Sequence, residues 1–216
     1  MDNLAARRQM VDQQVRTWEV LDPRVLEALG NVPREAFVPP AYRNLAFADA
    51  PIPIGFGQSM LAPNLQGRIL QALAIDASEA ALEVGTGTGY LCACMSLLAR
   101  VVHSIEIHAE LAAAARSNLR HLPAAHVRIE TRDAFAAAPL GEYDAIAVTG
   151  SLPVYDRRFE QALRVGGRLF AVVGTAPVMD AVLVRRVDAA EWVRESLFET
   201  DIEPLVGAPA AAGFVF

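Results

Sequence analysis

The residues most able to do chemistry stand in a glycine-rich stretch, Glu-Val-Gly-Thr-Gly-Thr-Gly-Tyr, at positions 83–90. Glycine lets the backbone turn tightly and approach a ligand closely, and the free N–H groups at the start of a following helix attract polar ligand atoms. The spacing is GxGxG, because Tyr90 occupies the third glycine position of the dinucleotide pattern GxGxxG. The stretch therefore favours a ligand site without a pyrophosphate on that helix. A purely structural turn is the alternative.

Two acidic residues follow the next two strand-like runs. Glu106 stands about twenty residues after the glycines, where an acid in a doubly wound sheet accepts hydrogen bonds from the hydroxyls of a ribose. An exposed carboxylate at the end of a strand is the alternative for Glu106. Asp133 follows the third run and would reach an adenine amino group in the same site, although a loop acid or a helix cap would explain it equally well. The three features together predict a nucleoside site.

The elements that must position these residues form a regular alternation. Two helix-like segments, 90–99 and 110–122, separate the first three strand-like runs, which predicts parallel strands with helices on both faces. The strand-like runs are 80–84, 101–107, 127–130, 143–149 and 168–174. Two further runs, 179–187 and 192–200, follow each other directly and predict an antiparallel hairpin that completes the sheet. The predicted class is therefore α/β, with a doubly wound and mostly parallel sheet.

The first sixty residues have a different character. Apolar residues at helical spacing, and an Asp22-Pro23 start followed by Gly30 as a cap, predict two opening helices. Six prolines between positions 31 and 63 predict an irregular packed segment, and Pro63 then begins another helix. We expect one domain over 1–216, in which residues 1–63 form a helical and proline-rich extension of an α/β core at 64–216.

Composition excludes several classes of protein. The chain has 216 residues, of which 53% are hydrophobic and 20% charged, so a disordered protein is excluded. A net charge of −6 disfavours binding to nucleic acid. The longest apolar run is too short to cross a bilayer, and the N-terminus shows no apolar targeting segment. We expect a soluble, cytoplasmic protein with no membrane partner.

The cysteines and histidines give no sign of a metal site. Cys92 and Cys94 lie two positions apart in a predicted helix and so point to nearly opposite faces, where they fill the core. The four histidines have no ligand spacing. We therefore expect no bound metal.

At this point the chain resembles the class I S-adenosylmethionine-dependent methyltransferases, through ALEVGTGTGY, Glu106 and TRDAF. It is more similar still to the protein-L-isoaspartate O-methyltransferase family. VPREAFVPP, AFAD at 46–49, PIPIGFGQSMLAP, YDAIAVTGS and VGGRLFAVVG follow the order and spacing of that family over nearly the whole chain. The resemblance implies a seven-stranded Rossmann-like sheet, S-adenosyl-L-methionine as cofactor, and methyl transfer to L-isoaspartyl residues in protein repair. It also implies a proline-rich segment that folds over the cofactor.

The resemblance also implies roles for individual residues. The cofactor-binding residues it implies are Gln58, Ser59, Glu83, Gly85, Thr86, Gly87, Gly89, Glu106, Ile107, Asp133 and Ala134. The substrate cleft it implies contains Asp49, Phe56, Met60, Leu61 and Thr149. The partner would be an isoaspartyl peptide or protein, or another small acceptor, and the oligomeric state stays open.

One loop departs from the family pattern. The family's GQTISAPH is GQSMLAPN at positions 57–64. The serine that the family places against the substrate carboxylate is Leu61, which cannot donate a hydrogen bond, and the following histidine is Asn64. Ser59 is the remaining hydroxyl of the loop and hence the candidate catalytic residue.

Four functions stay open on this evidence. The first is an isoaspartyl methyltransferase in which Ser59 or another donor replaces the family's serine; a carboxylate acceptor needs neither a general base nor a metal. The second is a methyltransferase of the same fold with a different, more apolar acceptor, and the third is a cofactor-binding protein without catalysis. The fourth is an NAD-type oxidoreductase, which the glycine spacing disfavours.

Overall fold

The computed structural model describes residues 2–122, 124, 126–137 and 140–210. The predicted core 64–216 is therefore described up to residue 210, and residues 211–216 lie outside the described part. In the described residues the α-helices are α1 Asn3–Met10, α2 Pro23–Asn31, α3 Arg34–Phe37, α4 Pro63–Leu73, α5 Tyr90–Ser96, α6 Ala109–Leu119 and α7 Arg157–Gln161. No helix among these residues is long and apolar enough to cross a membrane.

The strands form two sheets in this part of the chain. A small antiparallel hairpin contains β1 Ile52–Gly55 and β2 Gln58–Met60. The strands of the large sheet are β3 Ala80–Val84, β4 Val101–Glu106, β5 Val127–Thr131, β6 Tyr143–Leu152, β7 Leu163–Thr175, β8 Val178–Asp188 and β9 Glu191–Thr200. Their order is β5-β4-β3-β6-β7-β8-β9, with parallel pairs up to β7 and antiparallel pairs after it. The predicted mostly parallel sheet with an antiparallel end is confirmed.

The sheet is covered on both faces, which explains why its central strands are mostly apolar on both sides; Glu83 in β3 is a buried exception. All five residues of β3 are buried. In β6, Ala145 and Ala147 face the larger core, and Ile146 and Val148 face the smaller one. The N-terminal helices pack into the larger core, and Phe159 of α7 packs into the smaller one. Buried parallel strands of this kind need apolar residues on both sides.

The N-terminal helical region packs closely on α4. Helical backbone continues beyond α1 through a wider turn, Val11–Val15, and a tighter one, Arg16–Trp18. A Cβ at Gly67 of α4 would lie only 2.7 Å from Cγ1 of Val15, so the two segments approach as closely as glycine allows. Residues 1–63 thus contribute to the same core as the sheet.

Several predicted boundaries were wrong. The segment 31–63 is not irregular throughout, because it contains α3, a tight helical turn at Pro40–Leu45 and the β1–β2 hairpin. Gly30 does not cap α2, which continues to Asn31 and ends with Val32 in extended conformation. The helix predicted over 90–99 ends at Ser96, and the helix predicted over 110–122 ends at Leu119. Strands β6 and β7 are longer than predicted, because pairing with each other extends both.

Candidate active site

A cleft of about 570 Å³ lies where β3, β4 and β6 end. The ends of parallel strands on either side of the point where the strand order reverses form the usual ligand crevice of a doubly wound sheet. The β1–β2 hairpin covers one side of this cleft, and residues after β9 line another. The cleft is lined by Ile54, Gln58, Ser59, Val84, Gly85, Gly87, Ile105, Glu106, Ile107, His108, Leu111, Arg132, Ala134, Phe135, Thr149, Gly150, Leu205 and Val206.

The glycine turn directly after β3 exposes backbone to this cleft. Gly85 has φ +95°, and a Cβ there would lie 2.4 Å from Oγ1 of Thr149, so only glycine fits. The Thr149 hydroxyl in turn donates to the carbonyl oxygens of Val84 and Gly85, at 2.9 and 2.7 Å. The turn is therefore held from β6 as well as from its own strand.

Glu106 ends β4 and faces the same cleft. The residue is only 4% exposed, and its carboxylate accepts two backbone hydrogen bonds, from the N–H of Gly87 at 2.8 Å and from the N–H of His108 at 3.0 Å. Each carboxylate oxygen keeps a further lone pair for a ligand hydroxyl. Glu106 thus fixes the glycine turn and also presents an anionic acceptor to the cleft.

A small cavity lies behind the cleft, between the glycine turn and the loop that contains Leu61. Glu83 lines it, together with Ser59 and Thr149. Oε2 of Glu83 accepts a hydrogen bond from Ser104, whereas its buried Oε1 has no hydrogen-bond partner among the residues that the structure describes. Burial raises the pKa of Glu83 to about 8. The cavity therefore holds a carboxyl group that stays protonated at neutral pH until a cation or a donor reaches it.

Replacing Glu83 with glutamine should flatten the pH dependence of stability. Between the unfolded pKa of 4.5 and the folded pKa of about 8, the native state keeps a proton that the unfolded chain has released. Any stabilisation from this group is therefore complete below pH 4.5, and it is lost as the pH rises towards 8. Relative to the wild type, Glu83→Gln should gain about 2 kcal/mol in unfolding free energy from pH 6 to pH 8. Urea denaturation at both pH values measures this. The exposed Glu110→Gln is the control, and parallel profiles for Glu83→Gln and the wild type would contradict the assignment.

A second, larger space adjoins the cleft, and we call it the groove. Its volume is about 1340 Å³, and it runs between the loop at Leu61 and the residues after β9. It is lined by Trp18, Pro51, Leu61, Ala62, Asn64, Leu65, Ser151, Pro153, Gly174, Thr175, Ala176, Met179, Thr200, Asp201, Ile202, Glu203 and Pro204. The lining is mainly apolar.

Ser59 and Glu203 stand at the boundary of the cleft and the groove. Ser59 lines the cleft, Glu203 lines the groove, and the Ser59 hydroxyl donates to Oε1 of Glu203 at 2.6 Å. Residues after β9 reach this position because they add to the end of β6: Ser151 N–H donates to the Glu203 carbonyl, and Leu205 N–H donates to the Ser151 carbonyl. The only hydroxyl proton of Ser59 is thus directed at a carboxylate.

Phe56 lies at the tip of the β1–β2 hairpin, with φ +56°. Its ring stacks on His108 with centroids 4.2 Å apart. His108 follows β4 and lines the cleft, so this contact closes the hairpin over the cleft.

The structure brings most predicted cofactor residues together. The predicted residues that line the cleft are Gln58, Ser59, Gly85, Gly87, Glu106, Ile107 and Ala134. Glu83 and Thr86 line the small cavity instead, and Thr86 is hydrogen-bonded to Ser104. Gly89 lies against Ala115 of α6. Asp133 is exposed, and its Oδ1 accepts a hydrogen bond from the backbone N–H of Phe135, so its predicted contact with adenine stays a prediction.

The predicted substrate residues are more dispersed. Leu61 lines the groove, and Met60 and Thr149 line the small cavity. Asp49 is exposed and lines neither of these spaces nor the cleft, and Phe56 acts through its stacking on His108. Among the described residues, no group of three or more His, Cys, Asp or Glu side chains could hold a metal. Both cysteines are buried and free, as predicted.

Sequence reasoning missed the residues that follow β9. Asp201 and Glu203 line the groove, and Leu205 and Val206 line the cleft. No local pattern marks them, since they depend on a backbone bridge to β6 that spans about fifty residues. His108 and Phe135 were also missed, although both stand next to predicted residues.

These features define the class of protein. A doubly wound sheet with antiparallel last strands, a GxGxG turn after its first central strand and an acid at the end of the next strand are the fold and site of a class I methyltransferase. The family model "Protein-L-isoaspartate(D-aspartate) O-methyltransferase (PCMT)" matches residues 5–208. The chain belongs to this family.

Individual relatives agree with the family match. A protein-L-isoaspartate O-methyltransferase of Koribacter versatilis is 39% identical over 202 residues, which are 93% of this chain and 90% of the relative. One of Rhodopseudomonas palustris is 38% identical and covers 92% of each chain. A beta-aspartate methyltransferase (PCMT) structure from Plasmodium falciparum, in complex with S-adenosyl-L-homocysteine, has a TM-score of 0.81 at 18% identity. It covers 92% of this chain and 97% of its own, and it supports the fold alone.

Proposed function

We propose that the protein transfers the methyl group of S-adenosyl-L-methionine to the carboxylate of L-isoaspartyl residues in damaged proteins. Membership of the PCMT family over residues 5–208 is the observation that carries this proposal. The proposal includes a role in protein repair in the cytoplasm. It also includes one domain, in which residues 1–63 and residues 64–216 act together.

The cleft suits the cofactor by its own chemistry. Glu106 offers an anionic acceptor for ribose hydroxyls, and the glycine turn removes the side chains that would fill the space beside it. The unpartnered Oε1 of Glu83 suits the positively charged amino acid end of the molecule. When bound, S-adenosylmethionine would supply a methyl group carried by a positively charged sulfur. Once the methyl group is transferred, that sulfur is left in a neutral thioether.

The protein's own part in the reaction is to orient the acceptor. An acceptor carboxylate is already ionised at neutral pH, so no general base is needed. The Ser59 hydroxyl donates its hydrogen bond to Glu203, and the side chain of Leu61 has no hydrogen-bond donor. Asn64 lines the groove and is 7% exposed. Its Oδ1 accepts a hydrogen bond from the Leu65 N–H, and no hydrogen bond in the described part of the chain involves its Nδ2. We assign the donor that positions the acceptor carboxylate to this amide.

Radiolabelled methyl transfer tests the proposal. The substrate is a peptide with one L-isoaspartyl residue, and the same peptide with ordinary aspartate is the control. We expect base-labile label in the isoaspartyl peptide only. Absence of transfer at saturating cofactor, with cofactor binding shown by calorimetry, would overturn the proposed acceptor.

Replacing Leu61 with serine should raise isoaspartyl activity. The substitution restores the hydroxyl that the family places against the carboxylate, and one well-placed donor contributes roughly tenfold or more in rate. We expect kcat/KM to rise at least about tenfold, together with a loss of stability of about 2 kcal/mol or more because Leu61 is buried. Leu61→Ala is the matched control, since it removes the same apolar atoms without adding a donor. Equal activity of both variants would show that a hydroxyl at this position does not contribute.

A second candidate function is methyl transfer to a different acceptor. Leu61 gives the groove an apolar wall, and Glu203 adds negative charge beside the predicted position of the carboxylate. Isoaspartyl turnover equal to that of a serine-containing relative would exclude this candidate.

A further inference from the structure

The charged residues that line the groove, among those the structure describes, are all acidic. Asp201 and Glu203 line it, and none of its described lining residues is Arg, Lys or His. Arg68, whose guanidinium donates to the carbonyl of the lining residue Trp18, is paired with Glu19 at 3.2 Å. The two carboxylates of the groove therefore have no cationic neighbour in the lining.

Glu203 is held in place beside the cofactor cleft. Its side chain accepts the Ser59 hydrogen bond, and its backbone carbonyl is bound by the N–H of Ser151 at the end of β6. The backbone bond fixes where the side chain begins, and the Ser59 bond holds its carboxylate at the boundary of the cleft and the groove. Its field therefore acts on any charged group of the acceptor near this boundary.

A second feature of the groove is a polar group in its wall. Asn64 is mostly buried there, and no hydrogen bond involves its Nδ2 in the described part of the chain. Nδ2 is not among the fully buried atoms, so this donor is accessible from the groove and can bind a ligand oxygen. The groove thus offers one neutral donor for an acceptor oxygen and two acids for a cation next to it.

We propose that Glu203 is a specificity-determining residue, which selects isoaspartyl sites flanked by a lysine or arginine and disfavours sites flanked by an acid. This inference rests on the proposed function. A basic neighbour offsets the repulsion between Glu203 and the incoming carboxylate, whereas an acidic neighbour adds to it.

Three matched peptides test the inference. They carry the same L-isoaspartyl residue followed by lysine, glutamine or glutamate, and kcat/KM is measured with labelled cofactor. We expect the wild type to prefer the lysine peptide over the glutamate peptide by about tenfold, a moderate effect because the groove is partly open to solvent. Glu203→Gln retains an oxygen for Ser59 and should reduce that preference to about twofold.

Glu191→Gln is the matched control. It removes an acid at the opposite end of β9, roughly 30 Å along the strand, and should keep the wild-type preference. Equal lysine-to-glutamate ratios in the wild type and Glu203→Gln would overturn the inference. If no variant methylates any peptide, the proposed function fails. Calorimetric binding of the same peptides to protein loaded with S-adenosylhomocysteine then still measures the charge preference, and its absence there would overturn the inference by itself.

Discussion

Replacing Glu106 with alanine should weaken S-adenosylmethionine binding by at least about 100-fold, because it removes charge-assisted hydrogen bonds from a site shielded from water. The carboxylate is the acidic group at the end of β4 that faces the cleft. It also holds the N–H groups of Gly87 and His108, so the truncation loosens the glycine turn in the same step. Isothermal titration calorimetry measures the loss directly.

Two further variants separate the contributions of Glu106. Glu106→Gln keeps one oxygen for a backbone N–H but loses the charge, and we expect about a tenfold loss of affinity. Glu110→Ala removes an exposed acid at the start of α6 and should bind as the wild type does. An affinity of Glu106→Ala within about threefold of the wild type would contradict the assigned role of this carboxylate.

Replacing Arg34 with methionine should destabilise the protein by about 3–5 kcal/mol, a large part of the stability of an ordinary domain. Arg34 of α3 is fully buried and has no carboxylate partner among the described residues. Its guanidinium donates to the carbonyl oxygens of Ala46 at 2.9 Å and Leu61 at 2.8 Å, and to the side chain of Gln66. It also lies 4.8 Å from the centre of the Tyr90 ring, and burial lowers its pKa.

The expected loss of stability is large because the substitution leaves hydrogen-bond acceptors without a donor. Methionine fills much of the volume but leaves buried oxygens without a donor. Urea denaturation gives the free energy of unfolding, and Arg8→Met, an exposed substitution in α1, is the control. Arg34→Lys should also destabilise, because one ammonium group cannot reproduce the planar fork. Arg34 also holds the Leu61 carbonyl, so Arg34→Lys protein that still folds should show a raised KM for the isoaspartyl peptide. A free energy of unfolding of Arg34→Met equal to that of Arg8→Met would contradict the assignment.

The parts of the site that depend on local signals were predictable. The strand that ends at Val84, the glycine turn and Glu106 follow one another at a spacing that the fold fixes, and all three meet at the cleft as expected. The hairpin of β8 and β9 was predicted from two adjacent strand-like runs, and only its ends shifted. Within each of these elements, the interacting residues are close in sequence or joined by regular pairing.

The remaining parts depend on contacts between distant segments. Ser59 and Glu203 are 144 positions apart, and no pattern in either segment indicates that they meet. Arg34 gave no signal as a buried cation, because its partners are mostly backbone carbonyls. Asp133 is a case that the structure leaves as a prediction. Its Oδ1 accepts from a backbone N–H two residues later, and its second carboxylate oxygen is left for the predicted adenine contact.

The segment 201–206 contributes to both spaces of the site, since residues 201–204 line the groove, and Leu205 and Val206 line the cleft. It follows the last strand and is joined to β6 by backbone hydrogen bonds, so side-chain substitutions at 201 and 203 leave that pairing in place. If the groove holds the acceptor as proposed, substitutions at 201 and 203 alone can change which acceptor is preferred, while the residues of the cleft stay the same.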